Sequence, residues 1–172
     1  MARYDEPPRR RELLAAALDF VRAATLIQGV LSISLLGSIC TERANPKDVD
    51  FLVTIRDDID FVALSKEGRR LKGRAQQVNR GADIFLARAG KYIGRVCHYR
   101  ECWPRRACTA LHCGRTQNLN DDLETVRLSD ELVNAPPLTL WPAVTRRVEL
   151  PEDVEGFLAQ LTAPANRVPL HD

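Results

Sequence analysis

Long apolar runs are missing from this chain of 172 residues. None reaches the roughly 20 residues that a bilayer-spanning helix needs. The opening segment Met1–Pro8 also lacks the apolar core of a signal peptide. The expectation is a cytoplasmic protein with no membrane partner. A large charge excess is missing too: the formal net charge is +2, so the chain as a whole is not a polycation built to coat nucleic acid. The five cysteines are an odd number, which argues against a complete set of internal disulfides, and a cytosolic setting would keep them reduced. There is no internal repeat. What remains is ordinary for a globular protein, with 45% apolar and 28% charged residues. The length suits one domain with a sizeable core.

The charge that is present is unevenly spread. Arg9-Arg10-Arg11, Arg69-Arg70 with Lys72 and Arg74, and Arg105-Arg106 form local basic clusters. Each reads either as solvated surface or as a phosphate contact. Spacing of apolar residues predicts a helix from Arg9 to about Ile27, with Leu14, Leu18 and Val21 on its inner face. Gly29 ends it. A strand is predicted over Val30–Leu36, with Leu31, Ile33 and Leu35 on one side and Ser32 and Ser34 on the other. A polar connection follows, then a β-branched, apolar strand from Val49 to Ile55. Phe61, Leu64, Leu71, Ala75 and Val78 recur at helical intervals, and Ala82–Ala87 reads as a further strand. Beyond Gly90 the pattern weakens. Short extended pieces are expected around Pro136-Pro137 and Pro142, and a last helix over Pro151–Leu161. The expected organisation is a core over residues 9–90 and a C-terminal elaboration over 91–162, packed as one unit.

Chemistry concentrates in Lys47-Asp48-Val49-Asp50-Phe51-Leu52-Val53. Alternation along a strand points Asp48 and Asp50 the same way, with Cα atoms roughly 7 Å apart. Two carboxylates side by side on an apolar strand repel and lose hydration, so a cation is the natural counterpart. Hard oxygen ligands suit Mg²⁺ or Mn²⁺, commonly bound by one or two carboxylates together with substrate phosphates. The implied chemistry is metal-dependent phosphoryl transfer.

The ordered set Leu36-Gly37-Ser38, then Asp48-Val49-Asp50-Phe51, then Asp83 within Gly81-Ala82-Asp83-Ile84-Phe85-Leu86 resembles the DNA polymerase β-like nucleotidyltransferase superfamily, in particular its minimal members. The resemblance covers roughly residues 12–88. It implies an α/β (α+β) fold, a short mixed sheet with helices packed on one face and a small C-terminal elaboration. It implies transfer of a nucleoside monophosphate from an NTP, ATP among them, to an acceptor hydroxyl on a protein, an RNA end such as that of tRNA, or a small molecule. Toxin–antitoxin pairs are a frequent setting of such minimal enzymes. Transferred residue by residue, Asp48 and Asp50 would hold the metal and Asp83 would be third ligand or base. Gly37 and Ser38 would meet the nucleotide phosphates. Many minimal members continue the turn with an arginine and a glycine-containing segment. Here Ile39-Cys40-Thr41-Glu42-Arg43 follows, so the positive charge would come from Arg43 or Lys47. The three carboxylates are expected to converge within about 5 to 7 Å.

Residues 97–113 hold four of the five cysteines, with His98 and His112 among them. Cys97, Cys102, Cys108 and Cys113 read as a Zn²⁺ site, although their spacing is not that of a CxxC knuckle, or as buried free thiols. Two other functions therefore stand beside the transferase. One is a catalytically silent, antitoxin-like module that binds a nucleotide or partner; the other is a zinc-stapled nucleic-acid-binding protein. The oligomeric state is not legible.

Overall fold

A computed structural model describes residues 8–97, 118–121, 123 and 126–164. Among them it contains four α-helices and one mixed sheet of seven strands. The first helix, α1 (Pro8–Ala24), carries Leu13, Leu14, Ala17, Leu18, Val21 and Ala24 at three- and four-residue intervals, all buried. The chain then turns through Gly29. Its φ of +87° is open to glycine, and a Cβ there would strike the Ile59 backbone. Strand β1 (Val30–Leu36) leads into a short 3-10 turn, Gly37–Cys40, and β2 (Asp48–Ile55) returns antiparallel to β1.

Asp60 caps α2 (Phe61–Gln77) by accepting the Ala63 amide at 3.0 Å. That helix crosses back so that β3 (Gly81–Arg88) runs parallel to β2. Ala89 and Gly90, both at positive φ, turn the chain into β4 (Lys91–Val96), antiparallel to β3. The remaining elements are β5 (Leu119–Asn120), α3 (Asp130–Asn134), β6 (Leu138–Trp141), β7 (Thr145–Arg146) and α4 (Glu152–Thr162). The sheet order is β5-β4-β3-β2-β1-β6-β7.

The main core lies between the sheet and α1, α2 and α4. Phe51, Val53, Ile55, Ile84 and Leu86 point into it from the strands, and Val154, Phe157 and Leu158 from α4. A smaller apolar cluster, Leu36, Leu52, Ala87, Tyr92 and Val133, occupies the other face. Three helices thus share one face as expected, but α3 packs through Val133 on the opposite one. The sheet is also longer than expected, because pieces from beyond residue 90 extend it at both sides.

The pattern expected for β1 fails at its start. A register irregularity between Val30 and Ser32 turns Leu31 outward, and Val30, Ile33 and Leu35 take the core positions. Ser34 is buried, with its hydroxyl 3.2 Å from that of Thr139 on β6.

Candidate active site

The two acids of β2 lie on the face away from α1, α2 and α4, since Val49, Phe51 and Val53 between and beyond them point into the main core. Parallel pairing sets Asp50 directly opposite Asp83, and Asp48 opposite Gly81. Ala82 and Ile84 flank Asp83 and face the main core, so Asp83 shares the face of Asp50. Adjacent strands run about 4.8 Å apart. The Asp83 amide donates to Asp50 Oδ1 at 3.2 Å. Asp48 is exposed and leans over Gly81, where a Cβ would overlap its carboxylate oxygen.

Antiparallel pairing brings the end of β1 to the same corner, with Leu36 opposite Asp50. Gly37 follows at φ +78°, and a Cβ on it would stand 3.6 Å from Asp50 Oδ2. The Gly-Ser turn therefore closes directly against the acids. The Ser38 carbonyl accepts the Thr41 amide at 3.1 Å and its hydroxyl at 2.7 Å, which stabilises the exit from the turn.

The electrostatic consequence falls on Asp50. Burial, then the charges of Asp48 and Asp83, push its carboxyl up to about 7; the Asp83 amide and Arg95 act in the other direction. Arg95, on β4, reaches Asp83 with Nη1 at 3.6 Å from Oδ1. Sequence reasoning missed this cation because β4 itself was not predicted. The alternation of Lys91-Tyr92-Ile93-Gly94-Arg95-Val96 is interrupted by Gly94, which the close approach of Asn120 requires.

A second arginine was misread. Arg10, in the Arg9–Arg11 run, is 3% exposed. Its guanidinium donates to the Ile39 carbonyl at 2.9 Å, the Arg43 carbonyl at 3.0 Å and both oxygens of Asp153 on α4. The segment that leaves the Gly-Ser turn is thereby tied to α1 and α4. Cys40 lies just beyond that turn, buried, and burial pushes its thiol up to about 12; it is a packing residue.

The side chains of Arg43 and Lys47 are exposed on the β1–β2 connection, and neither has an ion-pair partner among the described residues. Cys97 is a half-buried free thiol. Cys102, Cys108, Cys113, His98 and His112 lie outside the described residues. A cleft of about 360 Å³ between α1, α4 and the Leu140–Val144 segment shares no residue with the carboxylate corner.

Among the described residues, no group of three or more His, Cys, Asp or Glu side chains is gathered closely enough to hold an ion as it stands. The donor set nonetheless fits a hard cation: three carboxylates share one corner, and burial and the other two raise one of them to about 7, a cost that positive charge would relieve. No family model matches the chain, nor does any curated protein or solved structure.

Proposed function

We propose that this chain is a metal-dependent nucleotidyltransferase with a nucleotidyltransferase-type fold. The observation that carries this reading is the register of Asp50 and Asp83 across parallel strands, with the Gly37-Ser38 turn against Asp50. In the reaction the acceptor oxygen forms a bond to the α-phosphorus of an NTP. The bond from that phosphorus to the bridging oxygen breaks, and pyrophosphate leaves.

Asp48, Asp50 and Asp83 are the residues that would hold Mg²⁺ or Mn²⁺. When bound, the cation neutralises the triphosphate and lowers the pKa of the attacking hydroxyl. The protein's own groups do the rest. Gly37 lets phosphate approach the backbone, and Ser38 offers hydroxyl and amide donors to it. Asp83 serves as third ligand or takes the acceptor's proton. Arg95 balances Asp83 until the cation does so.

Incubation of the protein with each α-³²P-labelled NTP, Mg²⁺ and a lysate of its host should label an acceptor. Labelling should vanish in Asp48→Ala and Asp83→Ala variants that keep the wild-type circular dichroism spectrum. Absence of label from wild type with all four NTPs would overturn the reading in favour of a silent binding module.

A further inference from the structure

Arg10 is the one buried cation among the described residues, and the transfer chemistry leaves it unused. Its neighbours Arg9 and Arg11 are exposed. The Arg10 guanidinium serves two partners at once. Nε and Nη2 hold the two oxygens of Asp153, in the first turn of α4, whose side chain is 34% exposed. Nη1 and Nη2 donate to the backbone carbonyls of Arg43 and Ile39. A buried ion pair adds little net stability over apolar residues of the same volume. Its presence is better explained by the segment it holds.

That segment, residues 37–47, has little of its own to keep its shape. No side chain caps the 3-10 turn at its start. The Ser38 carbonyl is held from within, by the amide and hydroxyl of Thr41, and the Arg43 amide donates to Thr41 Oγ1 at 3.3 Å. Across Ile39–Arg43, Arg10 is the only donor from outside the segment among the described residues. A planar peptide is fixed once its carbonyl is fixed. Thr41 therefore holds the Ser38-Ile39 plane and Arg10 the Ile39-Cys40 plane, the two that follow directly on the Gly37-Ser38 turn against Asp50.

We propose that Arg10 is a positioning residue for nucleotidyl transfer. It sets the Gly37-Ser38 turn so that the triphosphate lies in line with the acceptor oxygen, and Asp153 keeps the guanidinium plane in place. This rests on the transferase reading. The role requires the fork of an arginine. One side chain must meet a carboxylate and two carbonyls four residues apart, which the single ammonium of a lysine does not span. A turn displaced by about 1 Å costs on the order of 10²-fold in rate, even where the ligand still binds.

The test varies the concentration of an α-³²P-labelled NTP at a fixed amount of host lysate and Mg²⁺. Arg10→Lys keeps the charge; Arg10→Met leaves no buried charge and serves should the lysine variant not fold. Either should lower the maximal labelling rate at least about tenfold, with the apparent KM for NTP within about threefold of wild type. Leu71→Ala removes core volume on α2 and none of these hydrogen bonds, so its maximal rate should stay within about threefold. Amide exchange followed by NMR gives a readout independent of activity. The Thr41 and Arg43 amides should exchange at least about tenfold faster in the Arg10 variants and remain near wild type in Leu71→Ala. A wild-type maximal rate in Arg10→Lys, a loss matched by Leu71→Ala, or a rise in KM alone would overturn the positioning role. If wild type labels nothing with any NTP, the transferase reading falls by itself. Exchange then decides the clamp, and unchanged Thr41 and Arg43 rates in Arg10→Met would overturn it.

Discussion

Burial and two neighbouring carboxylates push Asp50 from an ordinary 3.8 up to about 7. The folded, metal-free protein therefore holds this proton more tightly than the unfolded chain does. The stability gained from the proton is complete below pH 3.8 and is lost as pH rises to about 7. In EDTA, the Tm of wild type relative to Asp50→Asn should fall across that window and level off above it. Mg²⁺ should raise the wild-type Tm above pH 7 and leave the variant little changed. Parallel Tm profiles for the two proteins would contradict this account. At Arg10 the conflict is of another kind. Asp153→Ala would leave a buried guanidinium without its carboxylate. The expected cost is about 3 kcal/mol in urea unfolding, and Arg10→Met should lose as much or less because it also removes the charge. A loss below about 0.5 kcal/mol in Asp153→Ala would place the pair among ordinary surface ion pairs.

At the scale of elements, the corner is made by pairing. The β2–β3 register determines which backbone lies under Asp48, and it is Gly81, with no room for a Cβ. Gly81→Ala must displace the Asp48 carboxylate or the start of β3. Its expected signature is weaker Mg²⁺-dependent NTP binding by calorimetry, at least about tenfold, with only about 1 to 2 kcal/mol lost in stability. Unchanged binding would mean that Asp48 lies outside the cation site. Elements up to residue 88 were legible because their apolar residues repeat at 3.6 or 2. From β4 onward the signals are local exceptions: Gly94 in mid-strand, a two-residue strand at Leu119–Asn120, a five-residue helix at Asp130–Asn134. Segments that short hold their shape through their neighbours, so their own sequence carries little periodic signal.

On the scale of the whole molecule, the C-terminal part is structural to the core. β6 pairs along β1 on the side away from β2, and α4 packs against α1. Burial of Val154, Phe157 and Leu158 is worth roughly 6 kcal/mol at about 2 kcal/mol per side chain. A typical domain has only about 5 to 15 kcal/mol in total. A fragment of residues 9–90 should therefore show no cooperative thermal transition by circular dichroism, while the full chain does. A sharp transition in the fragment would restore the picture of a self-sufficient core with an appendage.

By itself the sequence determined the strand and helix order through residue 88, the common facing of Asp48 and Asp50, and the candidacy of Asp83, Gly37 and Ser38. These follow from periodicity, from alternation along one strand, and from residue types whose chemistry is local. Only the tertiary structure decided that Asp83 stands in register with Asp50, that Arg95 meets Asp83, and that Arg10 is buried between the Gly-Ser turn and α4. It also decided that α3 covers the second face and that strands from beyond residue 90 extend the sheet at both edges. Each of these depends on which strands become neighbours, and on desolvation that residues far apart in the chain impose on one another, so no window of the sequence contains it.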